Sequence, residues 1–143
     1  MRLNISLSSV AFITVLICSV CGLYAKEIIK ADSADAFEKQ VLDSRAVRLV
    51  CFYSSDSESC AELKKVLFQL SEDEKFYPQL VTVDIDVAKD VAEKLEIDSV
   101  PFFIFVKDGK PLAISKGFCT AGELKKILED YLSVRVRKKK RRY

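Results

Sequence analysis

Val47-Arg48-Leu49-Val50-Cys51-Phe52-Tyr53 runs through Ser54-Ser55-Asp56-Ser57-Glu58-Ser59 to Cys60, and the periodicity changes along the way. The first seven residues are mostly apolar and rich in β-formers, which suits a central strand covered on both faces. Serines and acids follow. Beyond them Leu63, Val66, Leu67 and Leu70 recur at helical spacing. A buried strand therefore passes through a short polar loop into an amphipathic helix, and Cys60 falls at that helix's start.

The same alternation continues on both sides. Upstream, Glu27 to Lys30 reads as a short opening strand. Ser33 to Leu42 reads as a helix with Ala34, Phe37, Val41 and Leu42 on one face. Downstream, Tyr77-Pro78 breaks the helix and Leu80 to Ile85 forms a second apolar strand. Val87, Ala88, Val91, Ala92 and Leu95 mark a short helix, and Phe102 to Val106 is another buried strand. Asp108-Gly109 signals a hairpin turn into Leu112 to Ser115. Leu124, Ile127, Leu128, Tyr131 and Leu132 mark the last helix. The order β-α-β-α-β-α-β-β-α predicts an α/β fold: parallel crossovers, a final antiparallel hairpin, and a central mixed β-sheet flanked by helices on both faces.

Composition narrows the chemistry. The chain has 143 residues, half of them apolar, which suits one domain with a packed core. It has no His, which removes Ser-His-Asp and Cys-His catalysis and most transition-metal sites. No glycine-rich phosphate loop is present, so nucleotide chemistry is not expected. Neither a metal nor a cofactor is expected.

Charge is unevenly placed. Lys26 to Val134 holds 15 basic and 21 acidic side chains, a net of −6. Arg135 to Tyr143 holds seven basic residues and no acid. Residues 134–143 read as a basic, disordered tail suited to an anionic surface or an acidic partner through Arg135–Arg142. Nucleic acid is not an expected partner, because the N-terminal leader argues against it and no aromatic residues are interleaved with the charges to support base stacking.

Between Arg2 and Lys26 there is no charge, and Val10 to Val20 is densely apolar. Residues 1–25 read as a secretory signal peptide, cut after Gly22 or Ala25. The alternative is an uncleaved membrane anchor, since Leu3 to Ala25 is long enough to span a bilayer. Either reading places residues 26–133 in the secretory pathway: in the endoplasmic reticulum lumen, secreted, or anchored on the non-cytoplasmic side. Cys18 and Cys21 fall in the leader, leaving Cys51, Cys60 and Cys119.

This element order resembles the thioredoxin superfamily, and particular residues at its joints carry the resemblance. Val50-Cys51-Phe52-Tyr53 looks like the strand leading into that family's redox loop. Cys60 sits where the family has the second cysteine of Cys-x-x-Cys. Val83-Asp84-Ile85-Asp86 resembles its strand-end VDxD, and Ser99-Val100-Pro101 its cis-proline turn. Phe105 to Gly109 looks like its hairpin turn, and Gly117 occupies its glycine before the last helix. The resemblance, which includes a likeness to a protein disulfide isomerase domain, implies a thioredoxin-like fold. It also implies a client-binding surface at Val100, Pro101, Lys116 and Gly117, beside Ser57.

Two departures bear on function. The tetrad reads Ser57-Glu58-Ser59-Cys60, and a serine oxygen cannot form the mixed disulfide on which exchange depends. The buried acid that many family members carry in the preceding strand is replaced by Cys51. Ser55 with Glu58, and Ser59 with Glu62, also fit helix-capping boxes. Cys60 reads as an inert buried thiol, a monothiol nucleophile, or half of a Cys51–Cys60 disulfide. Cys51 reads as a small buried hydrophobe, and Cys119 as a semi-exposed thiol open to intermolecular pairing. The expected function is a client- or partner-binding module lacking dithiol activity. The alternative is a weak monothiol thiol-disulfide oxidoreductase using Cys60.

Overall fold

The computed structural model describes residues 26–141. Five strands form one sheet in the order β1-β3-β2-β4-β5: β1 is Ile28–Lys30, β2 Arg48–Tyr53, β3 Gln79–Asp84, β4 Phe102–Lys107 and β5 Lys110–Lys116. Four helical segments accompany them. The first, α1, is Ala34–Phe37 and continues as a π-helical stretch over Glu38–Leu42; α2 is Ser59–Glu72, α3 Lys89–Lys94 and α4 Ala121–Lys140. The sheet is mixed, as its sequence indicated. β1 and β2 both pair parallel with β3, while β4 runs antiparallel to β2 and to β5.

The direction of β4 follows from helix length. The six strand residues of β3 rise about 20 Å, and α3 climbs only about 9 Å. The chain re-enters the sheet at the end where β3 left it, and β4 runs backwards. The 14 residues of α2 climb about 21 Å, enough for a parallel return.

Each face of the sheet has its own core. Leu49, Cys51, Leu80, Phe103 and Phe105 pack under α2 and α4, with Leu63, Leu67, Leu70, Leu124 and Leu128. Val50, Phe52, Val81, Val83 and Phe102 pack under α1 and α3, with Phe37, Val41 and Val91. Phe52 is the hub of the second core, its ring centroid 6.1 Å from both Phe37 and Phe102. Truncating such a ring costs about 3–5 kcal/mol.

Three elements depart from the sequence reading. The π-helical winding of α1 swings Leu42 out of the expected buried face, to 40% exposure. Val87, placed on the buried side of the short helix, lies before α3 begins and is exposed. The tail expected to be disordered is helical through Lys140. Thr120 and Glu123 form a capping box that starts α4 cleanly. Lys and Arg are good helix formers, and cations in a last turn complement the helix dipole.

Candidate functional site

The C-terminal ends of β1, β2 and β3, the start of β4 and the end of β5 meet at one pole of the sheet. The loop from β2 into α2 lies there, and serine hydroxyls hold it down. Ser54 donates to Asp86 Oδ2 at 2.5 Å, and Ser55 donates to Asp84 Oδ2. Asp84 is 5% exposed; its other oxygen accepts from the Asp86 N–H at 3.0 Å, and its own N–H donates to Asp32 at 2.9 Å. Neither expected capping box forms at α2. Glu58 is the N-cap without a side-chain bond, because Ser55 is drawn to Asp84 and Ser59 shares a 2.7 Å hydrogen bond with Ser57.

Cys60 lies in the first turn of α2, its N–H donating to the Ser57 carbonyl at 3.0 Å. It is partly exposed rather than sealed under the helix, and it lines a groove of about 510 Å³ with Lys30, Tyr53, Ser55, Lys64 and Phe68. Cys51 is fully buried in the strand beneath. Burial pushes its thiol far above the ordinary range, and Cys60 nearby adds to the rise. Tyr53 is raised as well, by burial first, then by the negative charges of Asp32 and Asp84, with Cys60 and Cys51 adding to the rise. Cys51, Cys60 and Cys119 are all free thiols, so the Cys51–Cys60 bond is not formed. Cys119 is buried, its sulfur 3.0 Å from the Ser115 hydroxyl, because it turns into the core just before α4 starts.

The neighbouring half of the pole comes from β4 and β5. The Val100–Pro101 peptide is cis. Phe52 pairs with Phe102, which sets Pro101 beside the end of β2. The Gly117 N–H donates to the Pro101 carbonyl at 2.9 Å. Val100, Lys116 and Gly117 are thus brought together around Pro101, which is itself buried. Lys116 is already engaged: its ammonium lies 3.6 Å from Asp98 and 5.8 Å above the Phe102 ring. It borders an open depression with Ile85, Glu93 and Glu96.

Sequence reasoning missed Phe118. It follows Gly117 and is 43% exposed, the largest apolar side chain on this turn. A bulky ring between a glycine and the helix cap at Thr120 was the available signal. Among the described residues, no group of three or more Cys, Asp or Glu is placed to hold a metal ion. No helix among them is long and apolar enough to cross a membrane. The leader or anchor expected in residues 1–25 lies outside the described residues.

A parallel β-α-β core, a reversed β4 entered through a cis-proline, and a cysteine at the start of the helix after the central strand define a thioredoxin-like α/β protein. The thioredoxin family model matches residues 28–130, and the chain belongs to that family. It is similar to the chloroplastic thioredoxin Y1 of Arabidopsis thaliana, 32% identical over 106 residues. That match covers 74% of this chain and 62% of the plant protein's length. A thioredoxin of Staphylococcus aureus is 30% identical over 105 residues, 73% of this chain and 98% of its own. Among solved structures, Malassezia sympodialis thioredoxin superposes with a TM-score of 0.66 at 20% identity, covering 76% of this chain and 95% of its own. The fold expected from the sequence is the fold observed.

Proposed function

We propose that the protein binds a protein or peptide client at the Val100–Pro101 and Gly117–Phe118 surface without dithiol exchange. One observation carries this reading. Where exchange needs an exposed thiolate, the chain presents the Ser57 hydroxyl, hydrogen-bonded to Ser59. Cys60 then has no second thiol within its own loop, and burial raises the Cys51 thiol in the strand beneath it. The half-buried Val100 and the exposed Phe118 beside the proline turn support this reading, as apolar contacts for an extended chain laid along the turn. The client reaches it in the secretory pathway, on the reading of residues 1–25 as a leader or non-cytoplasmic anchor.

Insulin reduction with dithiothreitol tests the claim. The expected outcome is a rate equal to dithiothreitol alone, with retained binding to an immobilised unfolded client that Phe118→Ser weakens. Turnover that disappears in Cys60→Ser would overturn it.

A second reading is favoured by the groove at Cys60. There the Cys60 thiolate attacks a disulfide, forms one mixed disulfide and releases one thiolate, and an external thiol such as glutathione frees the enzyme. Lys30 and Lys64 on the groove wall suit an anionic thiol partner of that kind.

A further inference from the structure

The helix that closes the fold outruns it. Leu128 is the last buried residue of α4, and every residue from Leu132 to Arg141 is exposed. From Leu132 to Lys140 the helix extends about 12 Å past the body. Arg135, Arg137, Lys138, Lys139, Lys140 and Arg141 decorate that length, Arg142 follows, and no acid occurs after Asp130. Among the described residues none of these cations forms an ion pair with the body. Val134 and Val136 are exposed among them.

The direction of the projection matters as much as its charge. Lys26 enters the body with its N–H on the Ser71 carbonyl at 3.0 Å and its ammonium 5.4 Å above Phe76. Asp73, in the same segment, is paired with Lys125 of α4. Asp73, Phe76 and Tyr77 share one surface depression with Leu128 and Leu132. The chain thus enters beside the end of α4, at the pole opposite the Ser57–Cys60 loop. Lys26, the first described residue, therefore sits at the pole where the cationic helix leaves the body.

We propose that the cationic end of α4, Arg135–Arg141, docks the protein on an anionic lipid bilayer, with the Ser57–Cys60 pole turned away from the surface. Each Lys or Arg held near such a surface adds attraction that fades within a Debye length, about 8 Å at physiological ionic strength. A 12 Å projection keeps the acidic body, net −6, beyond most of the matching repulsion. Val134 and Val136 supply apolar contact at the headgroup layer. A soluble acidic partner would use the cations alone, and would not account for the exposed Val134 and Val136 set among them.

The test is co-sedimentation of the full chain with vesicles of phosphatidylcholine alone or mixed with phosphatidylglycerol. It is repeated with a variant carrying Gln at positions 135, 137, 138, 139, 140, 141 and 142; circular dichroism checks that its helix persists. Any partitioning by residues 1–25 enters both vesicle types and cancels in the ratio. The parent should favour anionic vesicles by roughly a hundredfold at low salt, falling as salt rises, and the Gln variant should show a ratio near one. A parent ratio near one, or an unchanged ratio in the variant, would overturn the proposal. So would displacement from anionic vesicles by polyglutamate or duplex DNA at equal charge, which would assign the helix to an acidic protein or to nucleic acid.

Discussion

Gly117 donates its N–H to the Pro101 carbonyl at 2.9 Å, and it does so with a φ of +88°. The end of β5 is thereby pinned to the proline turn, so one backbone geometry sets both halves of the client surface. A Cβ at Gly117 would meet no atom within 4 Å, so the cost of a side chain there is conformational, not steric. Gly117→Ala should destabilise the fold by about 1 kcal/mol in urea unfolding and weaken client binding by more than that stability loss explains. A binding constant unchanged in the folded variant would detach Gly117 from the surface.

The thiols differ sharply in reach. A brief iodoacetamide pulse on the native protein, followed by peptide mapping, should label Cys60 well ahead of Cys51 and Cys119. Cys60 opens onto a groove, whereas Cys51 is sealed in the central strand with its thiol pushed up by burial. Labelling all three at comparable rates would mean that the core under α2 and α4, which holds both Cys51 and Cys119, opens far more readily than its packing suggests.

Ser57→Cys should turn the loop into a dithiol. The Cys60 N–H already bonds to the Ser57 carbonyl, so the turn that leads into α2 holds the two residues close together. The variant should gain insulin-reducing activity at least tenfold over the parent, and Cys60→Ser on top of it should remove most of that gain. No gain in a folded variant would show that Cys51, standing where an acid assists elsewhere in the family, also limits exchange.

The strands were legible because their apolar runs admit few other readings, and Val47–Tyr53 did become the central strand. The direction of β4 was not read, although the shortness of α3 contains it. Ser55 and Ser59 misled because a serine near a helix start can bind the helix or a distant carboxylate. Asp84, 29 residues away from Ser55, won that competition. The tail misled in another way. Its charge density suggested disorder, but a helix nucleated at Thr120 needs only good helix formers to continue, and Arg and Lys are such residues. Cys60 was placed correctly at the helix start, but its exposure depends on the open β1 edge, which spacing alone does not report.

Acid should loosen the junction between α2 and α4. The Lys125 hydrogen bond, first among several, holds the Asp73 carboxyl below its usual value of 3.8. A carboxyl depressed in the folded state contributes stability above its unfolded pKa and loses it as pH falls through the folded one. The melting temperature of the parent should therefore exceed that of Asp73→Asn at neutral pH, with the gap closing below about pH 4. A gap that persists at lower pH would assign the effect to the Lys75 and Phe76 backbone contacts and not to the charge.

Gly109 presents the opposite case from Gly117. It sits in the β4–β5 turn at a φ of +68°, and a Cβ there would lie 2.5 Å from the Leu42 carbonyl oxygen. That oxygen belongs to the end of the π-helical stretch of α1, so a side chain would push the hairpin off the helix or unwind the stretch itself. The obstacle is backbone, which cannot step aside as a side-chain tip would. Gly109→Ala should therefore cost about 2–4 kcal/mol, combining the left-handed conformation with the clash. Denaturant titration against Gly117→Ala separates the two contributions, because both positions carry the positive φ and only Gly109 carries the close approach. Equal losses at the two glycines would mean that the hairpin yields freely and that its packing on Leu42 contributes little to the fold.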